Sequence, residues 1–374
     1  MTINLALLSL YSFFGSFLIV YISVPSIVNV AKMKGLFDEP GIRKCHHQKV
    51  PNLGGVAIFA AIVISMGLFL DTTTNRELIY LLASITVMFF VGIKDDILII
   101  APSKKLLGQI AAALILIVLG NLRFTSLHGF LGIYAIDYVS SLLLTCFVMI
   151  VIINGFNLID GIDGLAAGIG IVVSVTFGSW FFLTGMTNYA LMCAIVAGAL
   201  IAFFRFNVFG GTNKIFMGDT GSLILGLIIS VFVIKFNEAN LTYSGPYLFN
   251  AAPAVSFGIL IIPLFDTLRV FVIRIAHRQS PFHPDMNHLH HRVLKLGLSH
   301  VEATILIGGV NVFFIVLMLT LQSMGLIALM LLNLTLSTIL VLVMELMIRL
   351  QFPRFQSKTD LKVNAMEITK IKSA

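Results

Sequence analysis

The chain has 374 residues, of which 58% are hydrophobic and only 11% charged, with a formal net charge of +7 and a mean hydropathy of +1.02. Soluble proteins carry roughly 25% charged residues, so a water-facing surface cannot be made from this composition. A soluble enzyme, a secreted disulfide scaffold and a disordered chain are excluded. Eleven apolar runs follow one another at about 4–30, 54–70, 78–100, 106–121, 136–153, 165–184, 187–204, 220–236, 254–275, 303–322 and 325–347. Lipid offers the backbone no hydrogen-bond partner, so runs of this length must be helical. The first has no basic stretch ahead of it and reads as a span, not a cleaved signal. The expected fold is an all-α polytopic integral membrane protein of about 11 transmembrane helices. One membrane domain would cover 1–351, and 352–374 would form a basic tail attracted to anionic lipid.

Charge sets the orientation. Of the 24 Lys and Arg residues, 21 lie in the ends and loops around 32–49, 94–105, 205–214, 269–295 and from 349 onwards. The alternate loops hold only Arg76, Arg123 and Lys235. Positive charge stays on the cytoplasmic side, which places the N-terminus outside and the C-terminus inside. The three cysteines, Cys45, Cys146 and Cys193, form no CxxC and read as small buried hydrophobes.

A carboxylate at mid-membrane costs ~2.5–3.5 kcal/mol on insertion scales, yet acidic residues cluster here in motifs at the expected cytoplasmic ends. The loop RKCHHQKVPNLGG (43–55) is basic and closes with Pro51 and two glycines; alone, it would also suit a plain inner-face anchor. Asp95 and Asp96 end the third run. Adjacent carboxylates repel unless a cation is near, and Lys94, Lys104 and Lys105 are at hand. After the fifth run, NGFNLIDGIDG spaces Asn154, Asn157, Asp160 and Asp163 three apart. On an α-helix each such step turns by about −60°, whereas a 3₁₀ segment or a glycine-broken loop would gather them on one side. Gly155, Gly161 and Gly164 favour the irregular form.

The stretch FMGDTGS opens the eighth run. Gly218, Thr220 and Gly221 would let backbone N–H groups approach an anion at a helix N-terminus, with Asp219 alternatively a simple N-cap. Asp266 lies in the ninth run, followed by SPFHPDMNHLHH with Asp285, His283, His288, His290 and His291. That spacing fits no tetrahedral zinc pattern; beside Arg278 and Arg292 it reads as phosphate contact or proton handling. Asn and Asp without sulfur make a hard-oxygen set suited to Mg²⁺ or Mn²⁺, and Mg²⁺ typically combines one or two carboxylates with substrate phosphates. The acidic loops therefore point to a phosphate-handling cleft on the cytoplasmic face.

Taken in order, the RKCHH…PNLGG loop, the DD pair, NGFNLIDGIDGLAAG, KIFMGDTGSLILG and SPFHPDMNHLHH resemble the polyprenyl-phosphate N-acetylhexosamine-1-phosphate transferase family along nearly the whole chain. The last loop is similar to the bacterial undecaprenyl-phosphate GlcNAc-1-phosphate transferase branch. The phospho-MurNAc-pentapeptide branch has three consecutive histidines there, and Leu289 stands where the first would be. The resemblance implies an Mg²⁺-dependent enzyme of the bacterial inner membrane that moves GlcNAc-1-phosphate from UDP-GlcNAc to undecaprenyl phosphate and releases UMP. The product would be the first lipid-linked intermediate of a cell-surface polysaccharide.

By the same resemblance, Asp219 and Asn157 are the metal ligands and Asp95, Asp96 and Asp160 the catalytic carboxylates. Asp163 and Phe216 would receive the uracil. Asn154, Lys104, Lys105, His290, His291 and Arg292 would contact the rest of the donor, with His46 and Lys49 the candidates in the first loop. Either the lipid phosphate attacks directly, assisted by Asp95 or Asp96, or a carboxylate attacks first to form a covalent intermediate. Direct attack is favoured because a phosphate is already a nucleophile. The expected partners are a UDP-sugar, the lipid acceptor and the bilayer, with no nucleic acid; small-residue patches permit a homodimer without naming its interface. Another UDP-N-acetylhexosamine, such as UDP-GalNAc or a deoxy amino sugar, would use the same metal and uridine sites. A transporter would instead place its charges near the midplane on paired broken helices.

Overall fold

A computed structural model of the chain describes residues 4–36, 50–73, 75–98, 100–277 and 288–372, the stretch from 351 as helical backbone. Its helices are α1 (Leu5–Lys34), α2 (Gly54–Phe69), α3 (Glu77–Leu98), α4 (Pro102–Leu114, extended by a π-turn to Leu119), α5 (Tyr138–Ile159), α6 (Leu165–Leu183) and α7 (Thr187–Phe209). They continue with α8 (Gly218–Thr242), α9 (Ala252–Ile259), α10 (Ile261–Ala276), α11 (Leu289–Leu294), α12 (His300–Leu321) and α13 (Leu326–Lys372). Among the described residues, nine helical stretches are long and apolar enough to cross a membrane. All eleven apolar runs are helical, but two differ from a plain span: α2 has 16 residues, and the run at 254–275 is divided between α9 and α10.

The division has a local cause. Pro263 has no N–H, so the carbonyl of Ile259, four residues earlier, loses its helical donor. Asn311 on α12 supplies the missing hydrogen bond through Nδ2 at 3.2 Å, and Asn333 on α13 donates likewise to Ala254 O at 3.2 Å. A neighbouring helix thus satisfies the carbonyl that the break exposes, as apolar surroundings require.

One element departs from the all-α expectation. Between α4 and α5, Ser126–Phe130 (β1) and Ile133–Ala135 (β2) form an antiparallel hairpin. His128 and Leu131 have positive φ, as do Gly129 and Gly132, which gives a tight reversal. Glu238 at the far end of α8 anchors it, accepting from the Thr125 N–H (2.8 Å) and hydroxyl (2.7 Å).

Helix α8 is buried along nearly its whole length and packs on α2, α3, α5, α6 and α9. The helices α6 and α7 pack together, and α1 covers the outside of α7. With α8 at the centre, the end of α3, the end of α5 and the start of α8 meet at one end of the bundle. Asp95, Asp96, Asp160, Asp163 and Asp219 are gathered there, opposite the hairpin. The tail expected from 352 continues α13 as helix to Lys372.

Candidate active site

The start of α8 is seated by backbone. Phe216 N–H donates to Pro51 O (2.8 Å), Gly54 N–H to Phe216 O (2.9 Å) and Gly55 N–H to Met217 O (2.8 Å). The PNLGG segment therefore runs alongside 216–217. Gly55 faces the backbone of Gly221, and Gly92 on α3 faces that of Thr220, so closely that a Cβ on either would overlap α8. The paired glycines are there for close approach. Gly218 enters the helix with φ +71°, a conformation that glycine adopts without a Cβ penalty.

The anion at this helix N-terminus is Asp96. Its Oδ1 accepts the Asp219 N–H at 2.7 Å, and its Oδ2 accepts the Thr220 N–H at 3.0 Å and hydroxyl at 2.5 Å. This corrects the reading of FMGDTGS. Asp219 is not the cap, and the two N–H groups offered to a ligand are already used by a carboxylate from α3. Asp219 is left to point into the cleft.

There it meets a cation. Lys105 Nζ lies 2.7 Å from Asp219 Oδ1, 3.1 Å from Asp95 Oδ2 and 3.3 Å from Asn157 Oδ1. Asn157 also donates through Nδ2 to the same Asp219 oxygen and, at 2.9 Å, to Ser222 Oγ. The remaining Asp95 oxygen takes the N–H of Ile100 at 2.8 Å. Three oxygens from three helices thus converge on one positive charge. Lys104 is exposed outside this group.

The spacing of 154–163 resolves differently from the irregular loop expected. Helix α5 is regular through Ile159, and only 160–164 form a turn. Because a step of three turns the helix face, Asn154 diverges from Asn157. It forms a reciprocal amide pair with Gln109 of α4, at 2.9 and 3.3 Å. Asp160, at the C-cap, has no side-chain hydrogen bond among the described residues. Loss of solvation, reinforced by Asp219, Asp96 and Asp163, pushes its carboxyl well above the ordinary range.

Asp163 is buried at the other side of that turn. Lys214 Nζ lies 2.6 Å and His300 Nδ1 3.4 Å from its Oδ2, while Thr304 donates to its carbonyl at 2.8 Å. The same Lys214 ammonium stands 5.7 Å from the centroid of the Phe216 ring. Asn207 ties the two segments together, accepting from Gly164 N–H (2.6 Å) and donating to Ile215 O (2.9 Å). Asp163 and Phe216 therefore share one corner of the cleft, with Lys214 between them.

A histidine wall closes the remaining side. His290 is 2% exposed, lies against Gly161, and has no hydrogen-bond partner for either ring nitrogen among the described residues. Burial, reinforced by His291, lowers its pKa to about 3, so it is neutral. The His291 ring lies 4.2 Å from it. Arg292 pairs with Glu345 of α13. His46 and Lys49 lie outside the described residues, as do Arg278, His283 and Asp285.

A family model described as glycosyl transferase family 4 matches residues 78–237, the stretch from α3 to α8 that contains every carboxylate of the cleft. The undecaprenyl-phosphate alpha-N-acetylglucosaminyl 1-phosphate transferase of Escherichia coli O157:H7 is 31% identical over 281 residues, 74% of either chain. The chain belongs to this family. A probable undecaprenyl-phosphate N-acetylglucosaminyl 1-phosphate transferase of Bacillus subtilis is 30% identical over 321 residues, 83% of this chain and 84% of the relative. The decaprenyl-phosphate N-acetylglucosaminephosphotransferase of Mycolicibacterium smegmatis is 30% identical over 304 residues, covering 73% and 72%. Membership agrees with the motif resemblance and makes this chain a membrane-embedded transferase.

For a family member, the donor set of the cleft is informative. Asp219, Asp95 and Asn157 turn side-chain oxygens towards one point, the donor type that would hold a hard cation beside substrate phosphate. The point they share already holds an ammonium group, so the electrostatics suit a cation. Lys214, Gln109, Asn207 and His300 were not singled out from sequence. Lys214 alone had a visible signal, as a solitary base two residues before Phe216.

Proposed function

We propose that the chain transfers N-acetylglucosamine-1-phosphate from UDP-GlcNAc to undecaprenyl phosphate, releasing UMP, with Mg²⁺ as its cation. The site would lie on the cytoplasmic face of a bacterial inner membrane. The observation that carries this reading is the convergence of Asp219, Asp95 and Asn157 oxygens on the Lys105 ammonium, beside a corner formed by Asp163 and Phe216. The names of the relatives support the lipid acceptor and the sugar. A polyprenyl chain stays in the bilayer and a nucleotide sugar stays in water, so the reaction belongs at a helix-end cleft.

In the reaction an oxygen of the acceptor phosphate attacks the sugar-bearing phosphorus, and the bond to the UMP oxygen breaks. Both partners are anions, so catalysis consists mainly of neutralisation and alignment. Bound Mg²⁺, held by Asp219 and Asn157 with Asp95 adjoining, would neutralise pyrophosphate charge. Lys105 adds a second positive charge beside those oxygens. Asp96 contributes through position, since both its oxygens hold the start of α8 and hence Asp219. Asp95 and Asp160 are the carboxylates outside that cap, available to accept a proton from the acceptor phosphate. Asp160, with its raised affinity for protons, suits the task of holding one. Asp163 accepts the uracil N–H while Phe216 stacks on the ring, and His290 and His291 face the sugar-phosphate portion.

The test is a transfer assay on membranes containing the protein, with radiolabelled UDP-GlcNAc, undecaprenyl phosphate and Mg²⁺. Label should enter the lipid phase with stoichiometric UMP, and EDTA should stop it. Asp219→Asn should lower turnover by roughly 10²–10³-fold or more, the usual loss for one preorganised electrostatic group, while the protein still inserts. Transfer from UDP-GalNAc but not UDP-GlcNAc would change the donor alone. Absence of UMP from every donor, with folded protein, would overturn the assignment.

A further inference from the structure

One buried acid has no part in that chemistry. Asp266 sits in α10 with 1% of its surface exposed, where an unpaired carboxylate would be costly. Its Oδ2 accepts from His288 Nδ1–H at 3.0 Å, and its Oδ1 accepts from the Leu289 N–H at 3.0 Å and the Arg269 guanidinium at 2.9 Å. Two of these three donors are the residues that begin α11. The His288 ring lies parallel to that of His290, with centroids 6.0 Å apart and planes 6° apart. His290 in turn rests on Gly161, where a Cβ would strike its Nε2. A continuous line of contact therefore runs from Asp266 through His288 and His290 to the turn carrying Asp160 and Asp163.

Helix α11 has six residues, too few to hold its own place. It packs on α12, and among the described residues polar attachments hold both its ends: Asp266 at the start and the Arg292–Glu345 pair near the end. A carboxylate on Nδ1 also fixes the tautomer and orientation of the His288 ring.

We infer that Asp266 is a positioning residue for the transfer reaction, one that touches no substrate and acts by seating His288 and the first turn of α11 so that His290 faces the sugar-phosphate of the donor. The inference rests on the transferase reading above.

The experiment compares purified wild type, Asp266→Asn, His290→Ala and the double variant, measuring thermal midpoint, kcat, and separate KM values for donor and lipid acceptor. Asp266→Asn should keep wild-type thermal stability within a few degrees and lower kcat/KM for the UDP-sugar by roughly 10–100-fold, as outer partners of functional groups commonly do. KM for the lipid acceptor should be unchanged. In the His290→Ala background the same substitution should add less than about twofold, because residues acting through one group are not additive. Losses that multiply, or an Asp266→Asn enzyme as active as wild type, would overturn the inference. Should Asp266→Asn fail to fold, His288→Asn removes the ring while leaving Asp266 a donor, and must show the same non-additivity with His290→Ala. A folded wild type that uses no UDP-sugar would sink the transferase reading instead, which separates the two failures.

Discussion

His290 and Phe216 have surroundings in the cleft that make their proposed roles testable one residue at a time. The His290 imidazole is neutral because the fold lowers its pKa from 6.5 to about 3. The unfolded chain therefore binds a proton that the folded chain refuses. Stability contributed by this group is complete above about pH 6.5 and is lost as the pH falls from there towards 3, by up to ~1.4 kcal/mol per pH unit. Thermal melts in detergent should show wild type losing stability on acidification faster than His290→Leu; parallel curves would mean that His290 is protonated in place. Phe216 presents a half-buried ring beside Lys214 and Asp163. Stacking of a base on an aromatic ring is worth ~1–3 kcal/mol, so Phe216→Ala should raise KM for the UDP-sugar roughly tenfold and leave KM for the lipid alone. A rise in both would place the base elsewhere.

Among the elements, the N-terminus of α8 controls the geometry, and it is positioned by contacts that tolerate no side chain. Gly92→Ala pushes a methyl into the backbone of Thr220. Overpacking of this kind costs ~1–3 kcal/mol and here also shifts Asp219 against its Asp96 cap. The variant should melt several degrees lower and lose most of its turnover, whereas Gly67→Ala on α2, where nothing lies within 4 Å, should match wild type. At this scale the sequence was readable where one strong physical rule acts alone. Membrane helices follow from apolar length, and buried carboxylates from their cost. It was less readable where the answer depends on a distant partner. The cap on α8 comes from Asp96, more than a hundred residues away, so FMGDTGS by itself suggested a ligand in its place. Asn154 finds Gln109 and Asn207 bridges Gly164 to Ile215 only after the helices pack. The hairpin at 126–135 escaped because SLHGFLGIYA has neither strand alternation nor a two-residue turn motif.

For the molecule as a whole, the distribution of charge and the distribution of carboxylates agree. The acidic cluster lies at the end of the bundle where α3 and α5 finish, the same end as Lys94, Lys104, Lys105 and Lys214. The hairpin, with Tyr134 and Leu131 strongly exposed, lies at the other. Single-cysteine variants test the orientation that this implies. In intact spheroplasts a membrane-impermeant maleimide should label Leu131→Cys at once and Thr212→Cys only after permeabilisation; the reverse order would invert the topology.

The two sides of the cleft are built by different means. Close glycine contacts and the Asp96 carboxylate fix the 51–55 segment and α3 onto the α8 backbone, whereas α10 and α11 are tied in by single side chains: Asp266 to His288 and the Leu289 N–H, and Arg292 to Glu345. One jaw is therefore stiff and the other can yield. On the proposed assignment the stiff jaw, with the oxygens and the aromatic corner, would meet the parts that all UDP-sugars have in common. The yielding jaw would meet the sugar, the part in which donors differ. A lineage could thus change its donor by reshaping α11 and its attachments while the phosphate chemistry stays untouched.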